Sequence, residues 1–137
     1  MGQLLSPWPD IELVLMDMLA AYGTPVTATG TTIPAGTILI ERIGGPDNGV
    51  TDKPRVQLSF YGATRGDAWR QCRTAQQVML ASGGKLVSGQ YVTNVLVDYA
   101  ATATPPKQIP EQGRDSRIVQ IVMEFHLRRQ WPVPVNP

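Results

Sequence analysis

The stretch Pro54 to Ala81, PRVQLSFYGATRGDAWRQCRTAQQVMLA, constrains the fold more than any other part of the chain. From Arg55 to Tyr61 the residues alternate. Val56, Leu58 and Phe60 point one way; Arg55, Gln57, Ser59 and Tyr61 point the other. That is the period of a half-buried strand. Gly62 breaks the run. Thr64 then sits three residues before Asp67, which predicts a capped helix start. The hydroxyl accepts one orphan N–H, and the carboxylate lies near the positive helix end. Ala68, Cys72, Ala75 and Met79 follow at helical spacing and make a narrow stripe of small residues. Such a stripe lets the helix lie close against a sheet.

The 137 residues amount to one domain, 1–137, large enough for an ordinary core without metal or disulfides. Charged residues make up 17%, below the usual quarter, beside 12 Pro and 13 Gly. Two readings fit: a surface partly covered by something else, or long loops rich in uncharged polar residues. The net charge of +1 argues against a dedicated nucleic-acid binder, which carries a clear basic excess. Cys72 has no second cysteine to pair with and falls on the buried helix stripe, so it reads as a packed thiol. The N-terminus lacks a basic start and carries Pro7 and Pro9, so no secretory leader is expected. No apolar run approaches membrane-spanning length. Synthesis in a cytoplasm, with no membrane partner, is the expectation.

Residues 1–9 read as an extended arm in which Trp8 is either a clip onto the domain or an anchor for a neighbour. Asp10 to Tyr22 reads as a helix, with Ile11, Val14, Leu15, Met18, Leu19 and Tyr22 on one stripe and Gly23 and Pro25 as the stop. Val26 to Gly36 reads as loop with at most a short edge strand, and Thr37 to Ile43 as a strand covered on both faces. Gly44 to Lys53, GGPDNGVTDK, is rich in turn residues. Its glycines invite a phosphate-loop reading, which fails because no Lys-Ser/Thr and no helix follow. A long hairpin loop fits better. Gln90 to Ala100 reads as a third strand, with Tyr91, Thr93, Val95, Val97 and Tyr99 on one face. Ala101 to Gly113 holds three prolines and reads as a long loop. Arg117 to Arg129 reads as the last strand, spanning roughly 40 Å at about 3.3 Å per residue. Residues 130–137 form a second proline-rich arm around Trp131.

The expected fold class is therefore α+β: a mostly antiparallel four-stranded sheet with two helices on one face. The order α-β-β-α-β-β is that of a circularly permuted ferredoxin-like unit, with long loops and extended termini.

No catalytic set emerges. His126 shares a strand face with Glu124 and Arg128, and a His–Glu pair can orient an imidazole as a base. No motif places a Ser or Cys nucleophile beside it. The carboxylates are scattered and no Cys/His cluster appears, so neither metal nor cofactor is expected. Arg70 and Arg73 lie three residues apart beside Trp69. They make either a solvated helix face or a partner contact, since Trp with Arg is typical of interface anchors.

The order and spacing of these elements resemble the tail terminator proteins of long-tailed bacteriophages (siphoviruses), above all the small versions in phages of actinobacteria. The features that carry the resemblance run from Asp10 to Arg129. They are the opening helix DIELVLMDMLAAYG, a strand closing in ERIGG before a Gly/Pro/Asp loop, and PRVQLSFYG followed by GDAWRQCRTAQQVM. A strand leading into a Pro-containing loop and a last strand ending in basic residues complete the set. The resemblance implies a structural virion protein, not an enzyme. It implies a ring, usually a hexamer, that caps the tail tube, ends tube polymerisation and meets the head-completion or neck proteins at the head-tail junction. Genomic DNA would pass through the channel without specific binding, which suits a near-neutral chain.

On that reading Trp8, Trp69, Arg70, Arg73, His126, Arg128 and Trp131 are candidates for subunit contacts. Asp47, Asn48, Lys53, Lys107 and Arg114 are candidates for loops that reach the channel or an adjoining ring and order on docking. The rival readings are another neck ring (a head–tail connector or stopper) and a nucleic-acid-binding ferredoxin-like domain whose sheet presents Tyr91 and Tyr99 as stacking groups.

Overall fold

The computed structural model describes residues 7–111 and 114–128. Its elements run α1 (Ile11–Met18), β1 (Thr24–Val26), β2 (Thr37–Gly44), β3 (Thr51–Asp52), β4 (Arg55–Tyr61), α2 (Arg65–Leu80), β5 (Lys85–Val87), β6 (Val95–Glu111) and β7 (Arg114–Arg128). The strands form one seven-stranded sheet in the order β1-β2-β4-β7-β6-β5, with β3 paired to β7. β1 runs parallel to β2, and the other pairs are antiparallel. The expected four-stranded, mostly antiparallel sheet in the order α-β-β-α-β-β is thus overturned, and the ferredoxin-like comparison falls with it. The sheet is larger, mixed and strongly curled.

Three short strands account for most of the difference. β1 and β5 have three residues each and β3 has two, too few for a periodic signal. Each exists because a long neighbour offers an edge. Thr24–Val26 sits beside Thr37–Leu39, and Lys85–Val87 beside Val95–Val97. β3 and β4 run along the same edge of β7, meeting Leu127 and Glu124 respectively. Pro54, which has no N–H, stands in the gap between them, and its carbonyl still accepts from Phe125 N at 3.1 Å.

The proline-bearing segment expected as a loop over Ala101–Gly113 is instead strand as far as Glu111. Its pairing with β7 shifts register between Val97 and Tyr99, between Thr102 and Thr104, and between Thr104 and Lys107. Extra residues of this kind bend a strand and raise its twist. Pro105 and Pro106 fall within the last of these irregularities, where a missing N–H costs the ladder nothing. Lys107 is therefore a strand residue opposite Gln120, and Arg114 opens β7 opposite Glu111.

The strand expected at Gln90–Ala100 begins only at Val95. Val97 pairs with buried Leu127, whereas Tyr99 pairs with His126 on the other sheet face. Tyr91 lies before the strand, so Tyr91 and Tyr99 do not share a strand face.

The alternation in β4 is as read: Val56, Leu58 and Phe60 are fully buried. They meet Ile38 and Ile40 of β2 and Val119, Ile121 and Met123 of β7 in register. Both helices close over this face in a single core that includes Ile11, Val14 and Leu15 of α1 and Ala68, Cys72, Ala75 and Met79 of α2. Thr64 caps α2 through Asp67 N at 3.1 Å, and Asp10 caps α1 through Glu12 N at 2.9 Å. α1 stops at Met18, short of the expected Tyr22. Tyr22 N turns back to Leu19 O, and the Tyr22 carbonyl is taken by Gln71 Nε2 at 3.2 Å. Tyr22 is 42% exposed, off the buried stripe expected for it.

Burial pushes the Cys72 thiol up to about 12, with Arg73 opposing the shift. A folded-state value above the unfolded one favours folding fully below the unfolded pKa, and that benefit is lost as pH rises toward the folded pKa. Between pH 9 and 12 wild type should therefore lose about 3 kcal/mol relative to Cys72→Ala, most of the total set by about 1.4 kcal/mol per pKa unit. Denaturant melts of both proteins across that range check this. Parallel pH profiles would show that the thiol is not sealed.

Candidate functional site

A densely bonded surface segment runs from the end of β2 into the loop after it. Arg42 Nη1 and Nη2 donate to the two oxygens of Asp52, both at 2.8 Å. Arg42 Nε and Nη2 also donate to the Gly44 and Gly45 carbonyls, each at 3.2 Å. Its backbone N–H donates to Glu12 Oε2 at 2.9 Å. The Asp52 hydrogen bond raises the Arg42 pKa above its ordinary value, with the field of Asp52, Asp10 and Asp47 adding to it and burial opposing it.

Within the loop Asn48 Oδ1 accepts from Val50 N at 3.1 Å and Thr51 N at 2.7 Å, and Asp47 Oδ1 accepts from Gly49 N at 3.1 Å. Lys53 N closes onto Pro46 O at 2.9 Å. Gly45 has φ +99, and a Cβ there would collide with the Lys53 carbonyl. The Gly44–Lys53 loop is thus braced from within. Trp8 Nε1 donates to Val50 O at 3.2 Å, so Trp8 clips onto its own domain and meets the loop that carries Asp47 and Asn48. Beside this brace the chain exposes two apolar side chains, Ile43 at 54% and Val50 at 65%.

A second cluster lies on the sheet face away from the helices. His126 Nε2 is 3.2 Å from Glu124 Oε2, and Arg55 Nε is 3.4 Å from Glu124 Oε1. The Tyr99 ring is 4.5 Å from the His126 ring, and Arg128 Nε donates to Asp98 Oδ2 at 2.6 Å. β7 brings His126 and Arg128 to this face because they alternate with buried Phe125 and Leu127.

The third group is on α2. Arg73 lies over the Trp69 ring at 5.7 Å and donates to Gln76 Oε1, which in turn donates through Nε2 to Thr102 Oγ1. Arg70 pairs with Asp67 at 2.9 Å. α2 packs on the inner sheet face, so this group and the His126 group look in opposite directions. Trp131 lies outside the described residues, and of Arg114 only the backbone placement is described.

Residues that sequence reasoning passed over hold these surfaces in place. Asp52 and Arg42 form the loop clamp, Gln71 bridges the Tyr22 and Gly36 carbonyls, and Gln76 ties α2 to β6. Asp17 accepts three backbone N–H groups, from Gln90, Tyr91 and Val92, at 2.8–2.9 Å. None carries a local motif, because the partners that matter most lie from ten to more than seventy residues away.

His126 is oriented by Glu124, yet the single cysteine is sealed in the core on the opposite face. Two open grooves flank α2. The one of about 440 Å³ is lined by Tyr22, Gly36, Gly62, Arg70 and Gln71, and the other, of about 380 Å³, by Met18, Val78 and Leu86. Neither contains His126. Among the described residues no group of three or more His, Cys, Asp or Glu could hold a metal ion. No helix among them is long and apolar enough to cross a membrane. The described residues present a braced loop with exposed apolar side chains and two unlike polar–aromatic faces.

A family model described as phage tail termination protein matches residues 7–134. The chain belongs to that family; it is a structural protein of the bacteriophage tail, and hence a component of the virion. Comparison with curated proteins found no match.

Proposed function

We propose that the protein assembles as a ring, of six copies, that caps the finished tail tube. The ring ends polymerisation of the tube protein and presents the surface to which the head-completion proteins attach. It sits at the head-tail junction of a siphovirus, and the genome passes through its centre. The observation that carries this reading is the family match over 7–134. Three features agree with it. Trp69, Arg70 and Arg73 on one side, and His126 and Arg128 on the other, supply the two unlike faces that a head-to-tail ring requires. The braced Gly44–Lys53 loop, with Val50 at its surface, suits contact with the tube or an adjoining ring. A net charge of +1 suits a channel that lets DNA slide.

A head–tail connector or stopper would share this physics and differ in its neighbour. The nucleic-acid-binding reading loses its stacking platform, because Tyr91 is not on β6.

The test is assembly of tube protein in the presence of this chain, watched by negative-stain microscopy, with solution mass measured in parallel by light scattering. Rings in solution or on tube ends, with tube growth arrested, are expected. Tubes that grow unchecked and carry no added density at their ends would overturn the proposal.

A further inference from the structure

We propose that Asn48–Gly49 is a self-modification site, at which the loop's own groups promote conversion of Asn48 to aspartate and isoaspartate through a succinimide. This inference does not rest on the family reading.

The chemistry needs a nucleophilic backbone nitrogen next to an asparagine carboxamide, and three features serve it here. First, the Asn48 side-chain carbonyl oxygen accepts from two backbone amides, Val50 N at 3.1 Å and Thr51 N at 2.7 Å. Two donors aimed at one carbonyl oxygen polarise it and hold the negative charge that develops when the carbon is attacked. Second, the attacking nitrogen is that of Gly49, and its N–H already donates to Asp47 Oδ1 at 3.1 Å. A carboxylate in that position takes the proton as the nitrogen attacks. Third, Gly49 has no side chain, and nothing lies within 4 Å of where a Cβ would stand. The attacking nitrogen is therefore not screened by a side chain of its own residue.

The step balances without an external reagent other than water. The Gly49 N–Asn48 Cγ bond forms and the Cγ–Nδ2 bond breaks. Nδ2 leaves as ammonia, carrying the proton that Asp47 took from Gly49. Water then opens the imide at one carbonyl to give aspartate, or at the other to give isoaspartate, which lengthens the backbone by one methylene. Either product adds a carboxylate to a loop that already holds Asp47 and Asp52. Isoaspartate also breaks the spacing that brings Val50 O to Trp8 Nε1.

The other asparagines serve as internal controls. Asn94 is followed by buried Val95, and its Oδ1 accepts from Ser88 Oγ. Asn136 is followed by Pro137, which has no N–H to ionise.

The experiment incubates the full-length folded protein and the urea-unfolded protein at pH 7.5 and follows each asparagine by peptide mass, with isoaspartate read by fragmentation. Asn48 should convert about tenfold faster in the folded chain than in the unfolded one, an acceleration modest beside that of enzymatic acid–base groups. Asp47→Asn keeps a hydrogen-bond acceptor but removes the base, and should bring the folded rate down to the unfolded one. Asn48→Gln should abolish the mass shift at this position. A folded rate at or below the unfolded rate would overturn the proposal, as would an Asp47→Asn variant that converts as fast as wild type.

Discussion

Replacing Arg42 by methionine is expected to destabilise the protein by about 3–5 kcal/mol, the cost of leaving a buried carboxylate without its partner. The Asp52 side chain is only 5% exposed, whereas that of Arg42 is 36% exposed. The penalty therefore falls on Asp52, whose carboxylate would lose its partner in a poorly solvated site. The paired guanidinium also holds the Gly44 and Gly45 carbonyls, so the hairpin loop should loosen with it. The double variant Arg42→Met/Asp52→Leu separates the two effects. Removing both charges should recover most of the loss, because an apolar pair has no desolvation penalty to offset. Urea melts of the three proteins are the measurement. A single variant within 1 kcal/mol of wild type would show that the clamp is an ordinary surface pair, worth under about 1 kcal/mol.

The Asp17 carboxylate is the second position of large effect. It lies in the last turn of α1 and draws in the segment before β6 through three backbone N–H groups at 2.8–2.9 Å. Hydrogen bonds to a charged acceptor contribute about 1.5–3 kcal/mol each, but these three share one carboxylate and two of the donors belong to exposed residues that water can reach. A loss of about 2–4 kcal/mol is therefore expected for Asp17→Ala, from the same hydrogen-bond scale. Asp17→Asn retains one acceptor oxygen and should fall between the two. The approach is close enough that a Cβ on Gly89 would lie 2.5 Å from Asp17 Cγ. Amide exchange at residues 90–92 gives an independent readout. Protection there should collapse in Asp17→Ala while the β4–β7 amides stay protected. Unchanged protection at residues 90–92 would show that the carboxylate does not hold the segment.

How much could be read without the structure differs element by element. The β4–α2 unit was readable because each of its signals is local: alternation over seven residues, a Thr three positions before an Asp, and small residues at helical spacing. Its buried residues are the ones the pattern named. The Pro-containing segment was not readable. Three prolines in thirteen residues argue for loop on local grounds, yet β7 supplies a long partner and the register shifts absorb the residues that cannot donate. β1, β3 and β5 were missed for the same reason, since a strand of two or three residues exists only beside the neighbour that pairs with it. Of the candidate contact residues, the order of the chain sufficed to put Trp69 with Arg73 on one helix and His126 with Arg128 on one strand. That Trp8 folds onto the Val50 carbonyl needed the loop's three-dimensional path.

Sequence by itself determined the two helices, the three long core strands and the stripe of small residues that seats α2 on the sheet, and the order of those elements pointed to the tail terminator family. Period, capping and composition are properties of neighbours along the chain, and they act before the chain has a shape. Tertiary structure alone decided the sheet's strand count, its mixed sense and its curl, the early end of α1, and the clamps made by Arg42 with Asp52 and by Asp17 with residues 90–92. Each of these depends on groups brought together from ten to more than seventy residues apart. Their free energy comes from exchanging water for a distant partner, and no local pattern records which partner that will be.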